Sequence, residues 1–494
     1  MQTSSVAPIA PILPIEPNAL PGGSPAPGAA AFINIPPPQT SKIVSDKNVD
    51  ITLTTTSYQG GGGGENLTFL EIDTGDGADD IHISTGERGQ LNAVINGKSY
   101  LLPAANSDAT SITIKTNKGD DTVRIDPDVM VHAEIHGGEG NDHIQTGGGK
   151  SHVYGGAGND TIKLGSASSY AEGNDGDDTM MGGTGNHSMY GGNGKDRMYS
   201  GYGPDSKTSY MDGGNDDDLM YGGSGHNIMH GGKGNDQINA YGRSHIYTGR
   251  GQDSVYSTSS DDVVYGKRSD HLGLPFGFKF IETVPLPENT GSKAIDIEGS
   301  PEFKQRVEDD LEFYRGSPNS QHMLKELDAV AERTGAKVTI KKGPIDSHIV
   351  TQKLPEGVPL AEWRDPTFIR EGTRGAGATD LSVTYNPVTP REASDESRVF
   401  LPPTTTLYHE LGHAYNATTG SMLAGDTEII HPDGTHTREP NNERQVVGLE
   451  TAKPPFDFDN DPTTAPTTSN PYPLTENALR DEMGLPLRKS YDAL

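Results

Sequence analysis

The sequence predicts a chain of several domains, in which a repetitive all-β region is followed by an α+β domain. Segments of the form G-G-x-G-x-D-x-U-x, where U is apolar, recur through residues 137–256. From residue 301 onward, apolar residues follow the i, i+3, i+4 spacing of amphipathic helices. The 494 residues also include 63 Gly and 35 Pro, an excess that turn-rich repeats and disorder must absorb.

Composition divides the chain into five parts. Residues 1–48 are rich in Pro and Ala and predict a disordered segment. Residues 49–136 carry strand and turn signals and predict a β-rich region that leads into the repeats. Residues 137–267 contain the repeats, and the Pro- and Gly-containing residues 268–300 predict a linker. Residues 301–494 predict the α+β domain, with two helices, a small sheet and further helices near the C-terminus.

The charge and residue types restrict the possible functions. A formal net charge of -30 excludes binding to nucleic acid or to an anionic membrane by electrostatics alone, and it suits a chain that binds divalent cations. The absence of cysteine excludes disulfides and cysteine-based zinc sites. No apolar run reaches transmembrane length, and the first residues lack the features of a cleavable signal peptide, so we expect export to need a dedicated secretion machinery.

The nonapeptides have a direct physical interpretation. Complete copies begin at Gly137, Gly155, Gly191 and Gly231. Their glycines permit turns with positive φ, while the turn carbonyls and the aspartate offer the hard oxygen ligands that calcium prefers. The apolar residue that follows should form a short strand with its side chain pointing inward, as expected for Ile144, Ile162, Met180, Met189, Met198, Met220, Met229, Ile238 and Val255.

The aspartates predict where calcium binds. The expected calcium ligands recur every eighteen residues, shift once by four, and are Asp142, Asp160, Asp178, Asp196, Asp218, Asp236 and Asp253. Ser151, Ser169 and His187 take the same position in the intervening nonapeptides. These segments resemble the RTX repeats, whose parallel β-roll places alternate nonapeptides on opposite edges. The resemblance implies several structural calcium ions, mainly in one column. A disordered Gly/Asp-rich linker is the alternative, but periodic apolar positions oppose it.

His409-Glu410-Leu411-Gly412-His413 is the sharpest indication of chemistry. Positions i and i+4 share a helix face, so His409 and His413 can bind one zinc ion, with Glu410 beside it as general base. The alternative is a structural helix with two solvated histidines. Asn416 and Thr419 exclude the metzincin pattern, which needs Gly and His there.

The third ligand must lie further along the chain. The candidates are Asp426, Glu428, His431, His436, Glu439, Glu443 and Glu450. We favour Glu443, which begins a second helix about thirty residues on, as in a gluzincin His₂Glu site. Asp426 and His431 are its main competitors, and a surface carboxylate in the first helical turn is the alternative role for Glu443.

Three segments, YHELGHAYN (408–416), NNERQVVGLE (441–450) and TENALRDEMGLPLRKSY (475–491), resemble the NleD-type effector zinc metallopeptidases. The resemblance implies a zincin domain with zinc on His409, His413 and Glu443, and with Glu410 as general base. It also implies delivery into host cells and cleavage of host signalling proteins, notably mitogen-activated protein kinases. The long repeat region is a departure from these compact effectors.

The C-terminus adds two candidate catalytic residues. Arg488 and Tyr491 form an R-x-x-Y pair similar to that of clostridial neurotoxin proteases, where both residues stabilise the oxyanion. A surface pair is the alternative, and Arg480 is another candidate. The alternating residues 379–385 end before Pro387 and predict an edge strand that could bind substrate by strand addition.

Together these observations predict a secreted bacterial zinc endopeptidase that cleaves host proteins, with calcium repeats that aid export, folding or attachment. The alternative is a calcium-dependent surface adhesin with a non-functional protease domain. A non-proteolytic zinc hydrolase is a third interpretation.

Overall fold

A computed structural model of the chain describes residues 38–45, 49–58, 65–344, 347–350, 366–388, 391–392, 400–431 and 434–491. Most of the segment predicted to be disordered, residues 1–37 and 46–48, lies outside the described residues, as does the glycine run 60–64. The strand Gln39–Ser45 departs from that prediction. It pairs antiparallel with Asp50–Tyr58, and its Ile43 and Val44 pack against the roll core, which stabilises an extended conformation.

The repetitive region forms a solenoid of two facing sheets, built by a chain that alternates between them. The first sheet contains, after the antiparallel pair Gln39–Ser45 and Asp50–Tyr58, the strands Glu65–Asp73, Thr110–Lys115, His132–Glu139, Ser151–Ala157, Ser169–Asp175, His187–Asn193, Thr208–Asn215, His226–His230, Arg243–Tyr247, Val263–Gly266 and Lys279–Glu282. The second sheet contains the strands Asp80–Thr85, Thr122–Ile125, His143–Gln145, Thr161–Lys163, Thr179–Met181, Arg197–Tyr199, Leu219–Tyr221, Gln237–Ala240, Ser254–Ser257 and His271–Gly273, with Gln90–Ile95 and Lys98–Ala105 antiparallel at its edge. A short 3₁₀ helix, Glu87–Gly89, precedes Gln90.

The apolar position of each repeat fills the space between the sheets. Ile144 aligns with Ile162, and Met180 aligns with Met198, in parallel register. All nine side chains that the repeats predict to point inward are buried, and they belong to one hydrophobic core. Most strands of the second sheet are only three or four residues long, and each pairs with strands of the neighbouring turns, so the stacking of successive turns stabilises them.

The two sheets are longer than the repeat pattern predicts. They begin before residue 137 because Ile112, Ile114, Val123 and Ile125 already fill the same inward positions. They also continue past residue 267, where His271–Gly273 and Lys279–Glu282 add a last strand to each sheet. The remainder of the expected linker contains the strand Ile295–Glu298, which belongs to the following domain.

The C-terminal part is a smaller α+β domain. Its main sheet has the order Ile295–Glu298, Lys337–Lys342, Asp380–Tyr385, Ser347–Val350. Two hairpins pair Arg391–Glu392 with Phe400–Leu401, and Asp426–Ile430 with His436–Pro440. The helices are α1 (Pro301–Gly316), α2 (Ser320–Thr334), α3 (Pro403–Thr419), α4 (Asn441–Val447) and α5 (Glu476–Glu482), with a 3₁₀ turn at Tyr472–Leu474. No helix in the described ranges is long and apolar enough to cross a membrane.

The prediction that residues 379–385 form an edge strand is wrong. Asp380–Tyr385 pairs with Lys337–Lys342 on one side and with Ser347–Val350 on the other. Pro387 lies beyond the last paired residue and therefore costs no sheet hydrogen bond. The antiparallel strand Ser347–Val350 lies at the edge instead.

The roll and the α+β domain share one core. Tyrosines on the outer face of the first sheet form a continuous cluster with α1, the main sheet and α3. Phe313 of α1 contacts the rings of Tyr210, His230 and Tyr247. The neighbouring Tyr314 donates a hydrogen bond to the Thr404 carbonyl at the start of α3. Helix α1 is therefore fixed between the roll and the helix that carries the HELGH segment.

Candidate metal centres and active site

Helix α3 presents the two predicted histidines from a buried position. It begins at Pro403 and ends where Gly420 takes φ 66°, a conformation that glycine adopts without strain. A Cβ atom on Gly412 would lie 2.6 Å from Cγ1 of Val446. Glycine at this position therefore lets α4 approach α3 closely, which brings Glu443 over the face that carries the histidines.

Three side chains converge at this contact. The Nε2 atoms of His409 and His413 are 3.1 Å apart, and they lie 3.2 and 3.0 Å from Oε2 of Glu443. One ligand atom from each residue lies within 4.8 Å of the others. Burial alone would raise the pKa of Glu443, but the two histidines hold it well below its usual range. Two imidazoles and one ionised carboxylate on a common point form a donor set suited to zinc.

The competing third ligands lie elsewhere. Glu439 is buried in an ion pair with Arg444. His436 and Glu428 pair with each other at 3.0 Å on the exposed hairpin. Nε2 of His431 lies 2.8 Å from the Thr437 hydroxyl. Of the seven candidates, the described structure brings only Glu443 to the two histidines.

Glu476 lies behind His409, and it is not among the residues that the sequence predicts for the site. Its Oε2 lies 2.9 Å from Nδ1 of His409, the nitrogen that faces away from Glu443. Arg480 and Arg488 each donate to this carboxylate at 3.0 Å. Burial alone would raise the pKa of Glu476. Arg488, His409 and Arg480 instead hold this pKa well below its usual range. An ionised Glu476 fixes the ring orientation of His409 and makes its Nε2 a better ligand. The one sequence feature that pointed to this region was the segment TENALR (475–480), which is part of the stretch that resembles the effector peptidases.

The two residues of the R-x-x-Y pair, Arg488 and Tyr491, have different surroundings. Arg488 turns its guanidinium to Glu476 and to the Tyr491 carbonyl, the latter at 3.1 Å. The Arg488 guanidinium also lies 5.1 Å from the centre of the Tyr491 ring, and the carboxylates of Glu443 and Glu410 both act on the Tyr491 phenol. Burial, and then Glu443, raises the pKa of Tyr491 well above its usual value, so the phenol keeps its proton. Glu410 follows His409 on α3 and is 7% exposed, which leaves it beside the cluster and largely shielded from water.

A column of buried aspartates follows one edge of the roll. The backbone N–H of each aspartate donates to Oδ1 of the aspartate in the next turn, at 2.7 Å from Asp142 to Asp160 and 2.8 Å from Asp178 to Asp196. The other oxygen, Oδ2, is buried without a hydrogen-bond partner in Asp142, Asp160, Asp178, Asp196, Asp218 and Asp236. Burial, and then neighbouring carboxylates, raise the pKa of Asp178 to about 8. Unpartnered carboxylate oxygens beside turn carbonyls fit bound calcium.

The column also contains residues that the repeat pattern did not identify. Asp79 donates to Asp121 at 2.6 Å, and Asp121 donates to Asp142 at 2.9 Å. Both precede the first complete repeat, and Thr74 and Thr116 replace the first turn glycine there. The predicted ligand Asp253 continues the column, but its Oδ2 contacts Nζ of Lys267 at 2.9 Å.

The opposite edge carries few acids, as the spacing predicts. Ser151, Ser169, His187 and Ser209 align in parallel register at the equivalent position. None of these side chains carries a negative charge, so calcium ligands there would be limited to turn carbonyls.

The fold and the two sites define a chain in which a solenoid with a buried acidic edge is joined to an α+β domain with a buried His₂Glu cluster. Residues 291–491 match the model of the peptidase M91 family, described as "Effector protein". Four copies of the RTX calcium-binding nonapeptide repeat match residues 135–168, 172–206, 210–238 and 240–270. The C-terminal part of the chain therefore matches the peptidase M91 effector family model, and RTX calcium-binding repeats precede it. This confirms the predicted fusion. No curated protein and no solved structure matches the chain.

Proposed function

We propose that the chain is a secreted zinc-dependent endopeptidase that acts as an effector on proteins of a host cell. The convergence of His409, His413 and Glu443 at 3.0 to 3.2 Å, with Glu476 behind His409, is the observation that carries this proposal. The match of residues 291–491 to the peptidase M91 family model supports a peptidase, and the donor set supports zinc. By family resemblance, host signalling kinases are the first substrates to examine.

Each residue has a role that follows from its place. A zinc ion on His409, His413 and Glu443 would supply a Lewis acid and make a bound water acidic. Glu410 accepts the proton of the attacking water and passes it to the leaving amine. The protonated Tyr491 phenol donates a hydrogen bond to the oxyanion of the tetrahedral intermediate. Arg488 acts through Glu476 and holds the orientation of His409, which differs from the direct oxyanion role predicted from sequence.

The second part of the proposal is that the repeats fold when they bind calcium. The charged form of the buried carboxylates from Asp142 to Asp236 is unfavourable unless cations neutralise it. Calcium binds the folded roll and not the unfolded chain, so low calcium keeps the roll unfolded and high calcium outside the cell folds it. A role of the repeats in export, folding or attachment follows from this dependence.

The test compares the wild-type chain with Glu410→Gln. Both should retain one zinc per chain in elemental analysis, because Glu410 is not a ligand. Only the wild type should generate new N-termini when host-cell lysate is profiled by mass spectrometry. Glu428→Gln, an exposed carboxylate change on the hairpin, is the matched control and should cleave like the wild type. Unchanged cleavage by Glu410→Gln would contradict the proposed mechanism.

The same experiment addresses the rival functions. Biological activity that survives Glu410→Gln, without any cleavage by the wild type, would favour the adhesin. Bound zinc with hydrolysis of small substrates but no proteolysis would favour a non-proteolytic hydrolase.

A further inference from the structure

In the last turns of the roll, the ammonium group of Lys267 lies beside the aspartates of the column. In the preceding turns, the equivalent aspartates have a carboxylate oxygen without a hydrogen-bond partner. Nζ of Lys267 lies 2.9 Å from Oδ2 of Asp253 and 3.4 Å from Oδ1 of Asp270. It also donates to the Gly249 carbonyl at 2.5 Å. Both carboxylates are fully buried, and the lysine side chain is 16% exposed. A single cation is therefore enclosed by two aspartates and one turn carbonyl.

Two of these oxygens, Oδ2 of Asp253 and the Gly249 carbonyl, correspond to those that calcium would use in the rest of the column, whereas Oδ2 of Asp270 accepts hydrogen bonds from Thr248 and from the Lys267 N–H. Asp253 and Asp270 continue the series in which each backbone N–H contacts the Oδ1 of the next aspartate, although this last contact is longer, at 3.5 Å. Gly249 is the second residue of its turn, as Gly138 and Gly232 are in theirs. In Asp196, Asp218 and Asp236 the equivalent Oδ2 is buried without a hydrogen-bond partner, whereas Lys267 contacts Oδ2 of Asp253.

A second lysine has an equivalent place on the opposite edge. Lys207 is 2% exposed, and its Nζ donates to the Gly183 carbonyl at 3.0 Å and to the Ser200 carbonyl. Gly183 is also the second residue of its turn, and Lys207 belongs to the loop that contains the four-residue shift in the repeats. The carbonyl of the second turn residue therefore accepts a hydrogen bond from a lysine ammonium at two separate places, Gly249 and Gly183.

We propose that the Lys267 ammonium takes the place of a calcium ion between Asp253 and Asp270, so that the calcium column ends at the Asp236–Asp253 pair. The lysine is a tethered cation that closes the last turn of the roll without calcium. This turn is also a contact to the peptidase domain, because Arg250 forms an ion pair with Glu312 of α1 at 2.5 Å. The lysine therefore neutralises this last turn without calcium, whereas the tyrosine face on which α1 packs belongs to turns that bind calcium. The proposal rests on calcium binding by the repeats and is independent of zinc chemistry.

The test is the number of calcium ions bound by the full chain, measured by equilibrium dialysis and elemental analysis. Lys267→Met should bind one more calcium per chain than the wild type, because it leaves two carboxylates and a carbonyl without a cation. Lys195→Met, which removes an exposed lysine paired with Asp217 at 2.7 Å, should bind the same number as the wild type. An equal count in folded Lys267→Met would overturn the proposal.

Asp270→Asn provides a second measurement should Lys267→Met fail to fold. Under the proposal Asp270 contacts lysine and not calcium, so the count should equal that of the wild type. Loss of one calcium in Asp270→Asn would show that the ion itself occupies this position, and would overturn the proposal. If Lys267→Met needed a higher calcium concentration to fold than the wild type, the proposal would be supported, because calcium then replaces the missing ammonium.

Discussion

The guanidinium carbon of Arg306 lies 3.4 Å from the ring centre of Tyr190, and this contact joins the first helix of the peptidase domain to the roll. Arg306 also forms a buried ion pair with Asp310 at 2.6 Å, and Asp310 accepts a hydrogen bond from Tyr385 of the main sheet at 2.8 Å. A desolvated cation–π contact is worth about 2 kcal/mol. The roll is therefore part of the structural support of the peptidase domain.

Removal of calcium should loosen the peptidase domain as well as the roll. Tyr190 and Tyr210 belong to the same core as Leu411 of α3, so unfolding of the roll exposes the face on which α1 packs. We expect a calcium chelator to increase amide hydrogen exchange in α1 and α3 together with the repeats, and readdition of calcium to reverse the change. If α1 and α3 stayed protected while the repeats exchanged, the shared core would not couple the two parts.

Phe313 is the most sensitive single position at this junction. It is fully buried among three aromatic rings of the roll, and Phe313→Ala should cost about 3–5 kcal/mol. Denaturant unfolding in saturating calcium measures the loss. Tyr241→Ala, at a tyrosine of the roll that is 52% exposed, is the control and should change stability by less than about 0.5 kcal/mol. Similar effects of the two variants would argue against a buried junction.

Glu476→Gln should weaken zinc binding by about 10–100-fold, because the amide cannot carry the charge that holds the His409 ring. Competition with a zinc chelator measures the affinity. The matched control is Asp481→Asn on the same helix, an exposed carboxylate that contacts Tyr472 at 2.8 Å and not the cluster. If Glu476→Gln bound zinc as tightly as the wild type, Glu476 would have no role in supporting the zinc ligand His409.

Tyr491→Phe should lower kcat by about 10²–10³-fold while zinc content stays at one per chain, because the phenol donates to the oxyanion and is not a ligand. Steady-state cleavage of a peptide identified by proteomic profiling provides the rate. Loss of zinc in this variant would indicate a structural role instead, and an unchanged kcat would exclude the catalytic one.

The two edges of the roll should differ in calcium binding. Asp178→Asn should lower the number of bound calcium ions by at least one, because Asp178 has a buried Oδ2 without a hydrogen-bond partner. Ser169→Ala, at the equivalent position of the opposite edge, should leave the number unchanged. A wild-type count near one ion per nonapeptide would contradict the single column.

Local sequence patterns predicted the strands of the repeats and the helix that carries the histidines. They did not predict contacts between residues that are far apart in the sequence. The nonapeptide period identified the inward residues such as Met180 and Met198, because two residue types recur at fixed spacing within one strand and turn. The i, i+4 spacing of His409 and His413 is equally local. Glu476 lies 67 residues from His409, so no local spacing relates the two residues, and the TENALR segment marks a resemblance without showing what Glu476 contacts. The strands before residue 137 were predicted, but not as turns of the roll, because threonine replaces the turn glycine that marks a repeat.

X-ray absorption at the zinc edge on the purified chain tests the central claim most directly. We expect one zinc per chain, with two imidazole nitrogens at about 2.0–2.1 Å and carboxylate or water oxygen at about 2.0–2.2 Å. Glu443→Ala should lose the carboxylate oxygen and bind zinc more weakly. A chain that binds no zinc, or a zinc shell without imidazole, would contradict the assignment.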